Sequence, residues 1–543
     1  MKSINLYIFM FLSVFAMAQS DTTNSDLKIN QVEVIKAFEA NLQEAQKIRL
    51  KSVLPDQKPF NPTYKYDITI VPIDLKFPDP VIKPLAMAPD APFKINNGYL
   101  QGGYGFRKNP ELMAGYHFAK KDAYDVGFHL QYESLNNATK IPYQQYRNAT
   151  ADIYGNYMLK ENMNLYGEVN SSFRKRYLYQ TDIGVDTLYT KEQSERSLNG
   201  YGIKAGIRNA EPTKYNFNYD IYLALDNLSI TNSNIRENGI IAGLMGEKLF
   251  KKSSVLSVEA KYDYTALNAQ KELSLTTSTF KPVLKTKIKN LILQVGANML
   301  YSSDNRSSVF PEVYVSYGVS GPALQVFGGV SQDYYVNNFR NVTLRNPYLA
   351  NTQDSLVNTV SHKYYGGIKG QYSFITYQVS AGLKDANRLM FLLNQGSDVR
   401  YFDLVYGDAK IAFVAGNVDF ALTDVISLGG SITQNVFKLK DITNAWHTPN
   451  IEGSAYGLAR LLNGKLELNA NLYFGNKVLF LNKENQAENS NALFDMNIGA
   501  QYSVSKKFSL FIKGINLLDN KFERWYGYQS VGINGLAGIR IIF

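Results

Sequence analysis

The stretch Tyr215-Asn216-Phe217-Asn218-Tyr219-Asp220-Ile221-Tyr222-Leu223-Ala224-Leu225-Asp226 shows the pattern from which the fold is read. Successive side chains of an extended chain point to opposite faces. Tyr215, Phe217, Tyr219, Ile221, Leu223 and Leu225 therefore share one side, and Asn216, Asn218, Asp220, Tyr222, Ala224 and Asp226 the other. One face is apolar and the other largely polar over twelve residues. The same period of two recurs at 466–474, 291–299 and 494–502, and it runs from residue 97 to the end of the sequence.

Alternation alone also suits a soluble sandwich or propeller, so the connections carry the decision. Short polar turns fall at 119–124, 159–162, 209–214, 249–254, 287–290, 319–322, 373–376, 422–425, 462–465 and 503–507. Longer connections, among them 179–198, 334–361, 386–412 and 524–534, lie between them. Tight turns at one end and long loops at the other are the rhythm of a transmembrane antiparallel up-and-down β-barrel. Ten short turns join eleven strand pairs, so the expected all-β fold has about 22 strands, inside the even-numbered bacterial range. Two places leave that count open by two: the tight turn at Lys108-Asn109-Pro110, and 390–415, which reads partly as a loop hairpin.

Composition agrees. The 543 residues include 39 Tyr, 30 Phe and 39 Gly but only 17 Pro, and the mean hydropathy is slightly negative. Abundant aromatics with a polar average suit aromatic girdles around a polar-lined barrel. The net charge of +10 comes from scattered Lys and Arg, whereas a nucleic-acid footprint is a patch, so no nucleic-acid partner is expected. The absence of Cys excludes disulfides, thiolate metal sites and a lipid-modified cysteine.

Residues 1–18 read as a secretory signal, with Lys2 before the apolar run 4–15 and Ala16-Met17-Ala18 at the cleavage site. Residues 19–96 read as a separate lead-in, periplasmic or lumenal. Nine of the 17 prolines fall within 55–92, a density that forbids regular helix or central strand and favours an extended path. The barrel then occupies 97–543.

At the end of the sequence, Ala537, Ile539, Ile541 and Phe543 form an outward set, with Gly538 and Arg540 inward. Ile539, Ile541 and the terminal Phe543 resemble the signal by which barrel-assembly machinery takes up outer-membrane proteins. Upstream, Asn516-Leu517-Leu518-Asp519-Asn520-Lys521-Phe522 leads into a Tyr/Gly-rich loop containing Trp525-Tyr526-Gly527-Tyr528. This run resembles the penultimate strand of TonB-dependent receptors, particularly the Bacteroidetes form. The resemblance implies a barrel of the cell outer membrane of a Gram-negative bacterium, in contact with outer-membrane lipid and engaged in nutrient transport. Val32-Glu33-Val34-Ile35 resembles the short strand that pairs with TonB. The family's plug domain is larger than the segment 19–96, and its glycine-centred motifs are not found there. So wide a barrel needs a filling: the N-terminal segment, the loops at 334–361 and 386–412 folded inward, or another envelope protein.

Chemistry is sparse. His117 and His129 flank one short turn, and His362 and His447 stand apart, with no third ligand at metal-site spacing. No G-x-S-x-G occurs, and Ser320-Gly321-Pro322 reads as a turn. No enzyme and no cofactor are expected. Tyr334, Tyr335, Phe339, Tyr348, Tyr401, Phe402, Trp446, Trp525 and Tyr526 lie in long connections, where they either grip a sugar or apolar ligand or sit in the girdles, the girdle being the stronger expectation. Two functions remain: a nutrient transporter, and a non-transporting barrel scaffold that binds partner proteins at the surface or periplasmic rim.

Overall fold

The computed structural model describes residues 97–543, apart from 122, 160, 161, 182–184, 232, 251, 252, 353 and 395–397. The expected signal segment, the Pro-rich segment 19–96 and Val32-Glu33-Val34-Ile35 lie outside the described residues.

In chain order the strands are β1 (Gly98–Gly105), β2 (Asn109–Lys120), β3 (Tyr124–Asn136), β4 (Gln145–Leu159), β5 (Met163–Tyr177), β6 (Glu195–Asn209), β7 (Phe217–Thr231), β8 (Arg236–Phe250) and β9 (Ser254–Asn268). They continue as β10 (Glu272–Ile288), β11 (Leu291–Ser302), β12 (Ser308–Gly318), β13 (Gln325–Val336), β14 (Asn358–Tyr372), β15 (Ile375–Leu393), β16 (Asp403–Thr423), β17 (Ile426–Leu439), β18 (Ile451–Leu461) and β19 (Leu466–Gly475). The last are β20 (Leu479–Leu481), β21 (Ala487–Asn489), β22 (Leu493–Ser503), β23 (Phe508–Ile515), β24 (Glu523–Trp525), β25 (Tyr528–Gln529) and β26 (Asn534–Ile542). Short helices α1 (Val185–Leu188), α2 (Lys191–Ser194) and α3 (Phe339–Arg345) stand in the long connections.

Twenty-two of these strands form one antiparallel sheet, each paired with its neighbours along the chain. The hairpins β20–β21 and β24–β25 stand in loops as separate two-stranded sheets. β1 pairs with β26 from Tyr99↔Ile542 to Gly105↔Leu536, so the sheet closes on itself. Closure satisfies every strand edge internally, which a sheet in hydrocarbon requires. All ten expected short turns fall at one end of the barrel.

The outer face carries a belt of exposed aliphatic side chains, including Ile153, Val169, Ile203, Leu223, Leu284 and Val414. Exposed aromatics border it at both ends: Phe118, Tyr157, Phe250, Tyr317 and Tyr372 toward the short turns, and Tyr104, Phe106, Phe173, Tyr201 and Tyr301 toward the long loops. This is the apolar band with two girdles of a barrel embedded in the outer membrane of a Gram-negative bacterium.

Not all the tyrosine serves the girdles. Tyr166 faces Gly206 across β5 and β6, Tyr222 faces Gly243 across β7 and β8, and Tyr456 faces Gly429 across β17 and β18. Each ring lies over its glycine. A Cβ at Gly206 would meet Tyr166 Cζ at 2.5 Å, one at Gly429 would meet the Tyr456 ring at 2.6 Å, and one at Gly243 would come closer still to Tyr222. Tyr166 donates its hydroxyl to Asp220, and Tyr456 to Asp419. Tyr99 over Gly115, Tyr154 over Gly127 and Tyr365 over Gly329 repeat the arrangement. These pairs sit on the face opposite the apolar belt and tie strand to strand inside the wall.

One expectation needs correction. The span 386–412 is not a long irregular connection: β15 runs 19 residues and β16 runs 21, leaving only 394–402 between them. A membrane-spanning strand needs about 9 to 11 residues, so this hairpin stands well clear of the bilayer.

Candidate functional site: the loop cap at the long-loop end

The protruding hairpin organises the site. β15 and β16 shift register between Ala386 and Leu389, where Arg388 takes a left-handed φ of 52°. Beyond this bulge, residues 389–393 are all apolar and all buried. Met390 and Leu392 pack with Phe339, Val342, Tyr348, Leu349, Phe402 and Tyr528. Leu389, Phe391 and Leu393, on the other face, pack with Ile411, Phe437 and Trp446. The strand is sandwiched between two apolar clusters, which is why it loses the alternation that it shows lower down.

The connection 337–357 forms the centre of the cap. Asn338 caps α3, its side chain accepting the Asn341 N–H at 2.9 Å. The next two amides point at the barrel wall: Phe339 N–H donates to Glu237 Oε2 at 2.6 Å and Arg340 N–H to Oε1 at 3.0 Å. Glu237 is buried on β8, and a carboxylate at a helix N-terminus satisfies amides that have no partner within the helix. The Arg340 side chain pairs with Asp226 on β7, and Asn338 reaches Thr265 on β9 at 3.3 Å. Farther along, Arg196 on β6 donates to Leu349 O and to Asn351 Oδ1, both at 2.7 Å, and Arg174 on β5 donates to Thr343 O at 3.2 Å. A connection that leaves the wall between β13 and β14 is thus moored to five consecutive strands, β5 to β9.

Other long connections join it through aromatic rings. Tyr348 stacks on Tyr528 of β25, and Tyr179, from 178–194, meets Tyr528 edge-on at 5.0 Å. Tyr528 Oη donates to Arg400 O at 2.6 Å, and the Arg400 guanidinium lies 3.4 Å over the Tyr189 ring. Burial holds the Tyr348 and Tyr528 phenols well above the usual tyrosine pKa, so both remain neutral donors. His447, from 440–450, takes a φ of 56° and packs against Phe402 and Trp525. Its Nδ1 lies 2.8 Å from Leu392 O. Burial pushes its pKa down to about 4, against the opposing effect of the Leu392 carbonyl and with a smaller contribution from Arg524. The imidazole is therefore neutral at physiological pH, with Nδ1–H donating.

Of the residues singled out in the sequence, Phe339, Tyr348, Phe402, Trp446 and Tyr526 are buried within the cap, neither in a girdle nor on an open shelf. Tyr334, Tyr401 and Trp525 pack against the same cluster, and Tyr335 is exposed. His117 and His129 do not meet: each faces an aspartate across the sheet, Asp125 at 3.5 Å and Asp152 at 3.6 Å. His362 stacks on Phe310 at 4.2 Å. Among the described residues no group of three or more His, Asp or Glu could hold a metal. Ala537, Ile539, Ile541 and Phe543 are exposed on the outer face. The mooring residues Glu237, Arg196 and Asp226 were missed in the sequence, where they look like any polar position of a lumenal face. The one available signal was Asn337-Asn338 before 339–345, a helix-capping pattern.

No family model matches the chain, and no curated protein matches it. Solved structures do. A mutant of the ferric enterobactin receptor PfeA from Pseudomonas aeruginosa is 11% identical with a TM-score of 0.62, over 82% of this chain and 80% of that one. The FrpB iron transporter from Neisseria meningitidis is 10% identical with a TM-score of 0.66, over 83% and 82%. The siderophore receptor PirA from Acinetobacter baumannii is 10% identical with a TM-score of 0.62, over 82% and 80%. The chain has the 22-stranded barrel fold of these outer-membrane receptors and transporters.

Proposed function

We propose that this protein transports a nutrient across the outer membrane in the manner of TonB-dependent receptors, with the loop cap as its outer gate. One observation carries the reading: the long connections fuse over one end of a 22-stranded barrel and are moored to its wall by discrete polar contacts such as Glu237 with Phe339 and Arg340. Under this reading those contacts hold the mouth closed and release it as a unit when solute is taken up. The fold shared with iron and siderophore receptors makes ferric chelates the first solutes to test. Val32-Glu33-Val34-Ile35 is the segment offered to TonB under this reading.

The test is uptake of a panel of labelled ferric chelates by cells with and without the gene, and with Val34→Pro, since proline cannot donate to a strand ladder. Transport requires that deletion abolish uptake of at least one solute, and that Val34→Pro do so with normal amounts of barrel in the membrane. A second reading, a scaffold for other surface proteins, is favoured by the burial of the loop aromatics in the cap's own core. Unchanged uptake of every solute, with stoichiometric partners recovered in gentle detergent, would replace the first reading with the second.

A further inference from the structure

The outer face at the seam between β26 and β1 differs from the rest of the belt. Leu100, Ala114, Tyr116, Phe118, Phe128 and Phe543 line an apolar groove of about 400 Å³. Beside it, Tyr116 and Phe543 close over Gly98, where a Cβ would meet Phe543 at 2.8 Å and would come even closer to Tyr116. The groove's walls are packed aromatic rings. Tyr116 stacks on Phe543 at 5.8 Å and meets Phe118 edge-on at 4.5 Å.

Charge at the groove's mouth is one-sided. Lys120 continues the outward series of Leu112, Ala114, Tyr116 and Phe118 on β2, directly toward the short turns. Lys121 follows it, and Lys506 and Lys507 stand in the turn before β23, where Lys507 O accepts the Ile542 N–H next to Phe543. All four lysines are exposed, and none makes an ion pair among the described residues. The outward positions of β1, β2, β3, β23 and β26 hold no Asp or Glu. Counting Asp122, which follows Lys121 in the sequence, and the α-carboxylate of Phe543, the four lysines leave +2.

We infer that this seam binds one anionic glycerophospholipid of the periplasmic leaflet, an acyl chain in the groove and the phosphate among the lysines. An apolar slot continuous with a net cationic rim at the membrane interface fits that amphiphile, whereas a zwitterionic lipid gains mainly the slot. Each net positive charge near an anionic headgroup contributes up to about a fivefold gain in binding, so a net +2 supports a preference of about five- to twentyfold.

Native mass spectrometry of the full chain, released from detergent after incubation with phosphatidylglycerol or phosphatidylethanolamine, tests the inference. The expected result is one phosphatidylglycerol retained about five- to twentyfold more than phosphatidylethanolamine. The variant Lys120→Gln/Lys121→Gln/Lys506→Gln/Lys507→Gln is expected to retain the two lipids equally. Ala114→Phe fills the groove and is expected to reduce retention of both. Lys214→Gln/Lys289→Gln, on distant turns, is expected to leave the preference intact. Heat-dependent migration on a denaturing gel identifies folded barrel in every sample. No retained lipid, no preference between the lipids, or an equal loss from the distant pair would overturn the site.

Discussion

Tyr348 and Tyr528 lie face to face, their ring centroids 3.6 Å apart and their planes 16° from parallel, although they are 180 positions apart in the chain. One belongs to the connection 337–357 and the other to the connection that follows β23. Tyr179 and Phe402 touch the same ring from two further connections. The cap is therefore expected to behave as one cooperative unit.

Tyr528→Ala is expected to loosen residues 178–194, 337–357 and 394–402 together, at a cost of about 3 to 5 kcal/mol to the cap. Tyr528→Phe loses only the hydrogen bond to Arg400 and is expected to cost about 1 kcal/mol. Hydrogen exchange resolved by segment is the measurement. Loosening confined to 516–533 would contradict a shared core.

Burial raises the Glu237 pKa to about 7, against the opposing Arg340 and Phe339 amides. Glu237→Gln therefore keeps the shape of the side chain and removes, at the start of α3, a charge that is only partly present at neutral pH. The expected cost is about 1 to 2 kcal/mol, read as faster exchange at the Phe339 and Arg340 amides with the barrel amides unchanged. Unaltered exchange at those two amides would show that the carboxylate does not hold the helix.

His447 makes the cap sensitive to acid. Its folded pKa of about 4 lies below the ordinary histidine value, so the open state binds the proton more tightly than the closed one. The histidine's contribution is fully present above about pH 6.5 and is lost as pH falls toward 4, amounting to about 3 kcal/mol across that window. His447→Asn, whose side chain tolerates a left-handed backbone, is expected to flatten the dependence. Cap exchange measured at pH 7.5 and 5 in both proteins decides it; identical slopes would exclude His447 as the source.

Gly243→Ala is expected to destabilise the barrel by about 1 to 3 kcal/mol, because its methyl group must displace the Tyr222 ring. In the Tyr222→Ala background the same change should cost much less. Urea unfolding of the four proteins of the cycle gives the coupling, and strict additivity would mean that ring and glycine do not interact.

Leu223→Arg, in mid-strand on the outer face, is expected to cost about 2 to 4 kcal/mol in a bilayer, whereas Ala224→Asn, one residue on but facing inward, should stay within about 0.5 kcal/mol. Similar costs at the two positions would contradict the assignment of faces.

The barrel was legible in the sequence because a wall with lipid on one side and polar groups on the other writes its period directly into the chain, as in 217–226 and 536–543, whereas Tyr215 and Asn216, read as part of the former strand, belong to the turn before it, where Asn216 takes a φ of 55°. The short turns were legible for the same reason, since each interrupts that period. The cap was not. Once Leu389 to Leu393 rise above the membrane, both faces are buried by loops from elsewhere, and a continuous apolar run carries no record of which loops those are. The pairs of Tyr166 with Gly206 and Tyr222 with Gly243 were hidden too, because they exist only once the register between strands is fixed. Glu237 and Arg196 differ from other lumenal polar residues only by lying where 337–357 comes to rest.

Closure between β1 and β26 joins Tyr99 to Ile542, residues 443 positions apart. Every other strand pairing of the barrel sheet joins strands that follow one another along the chain, so the sheet combines local pairing with one extremely non-local step. Non-local pairing is slow because the loop entropy must be overcome before any contact rewards it. Until that step occurs, β1 presents a bare edge, the most adhesive surface that a sheet possesses. The rate-limiting and most error-prone event in the life of this molecule is therefore expected to be the meeting of its first strand with its last.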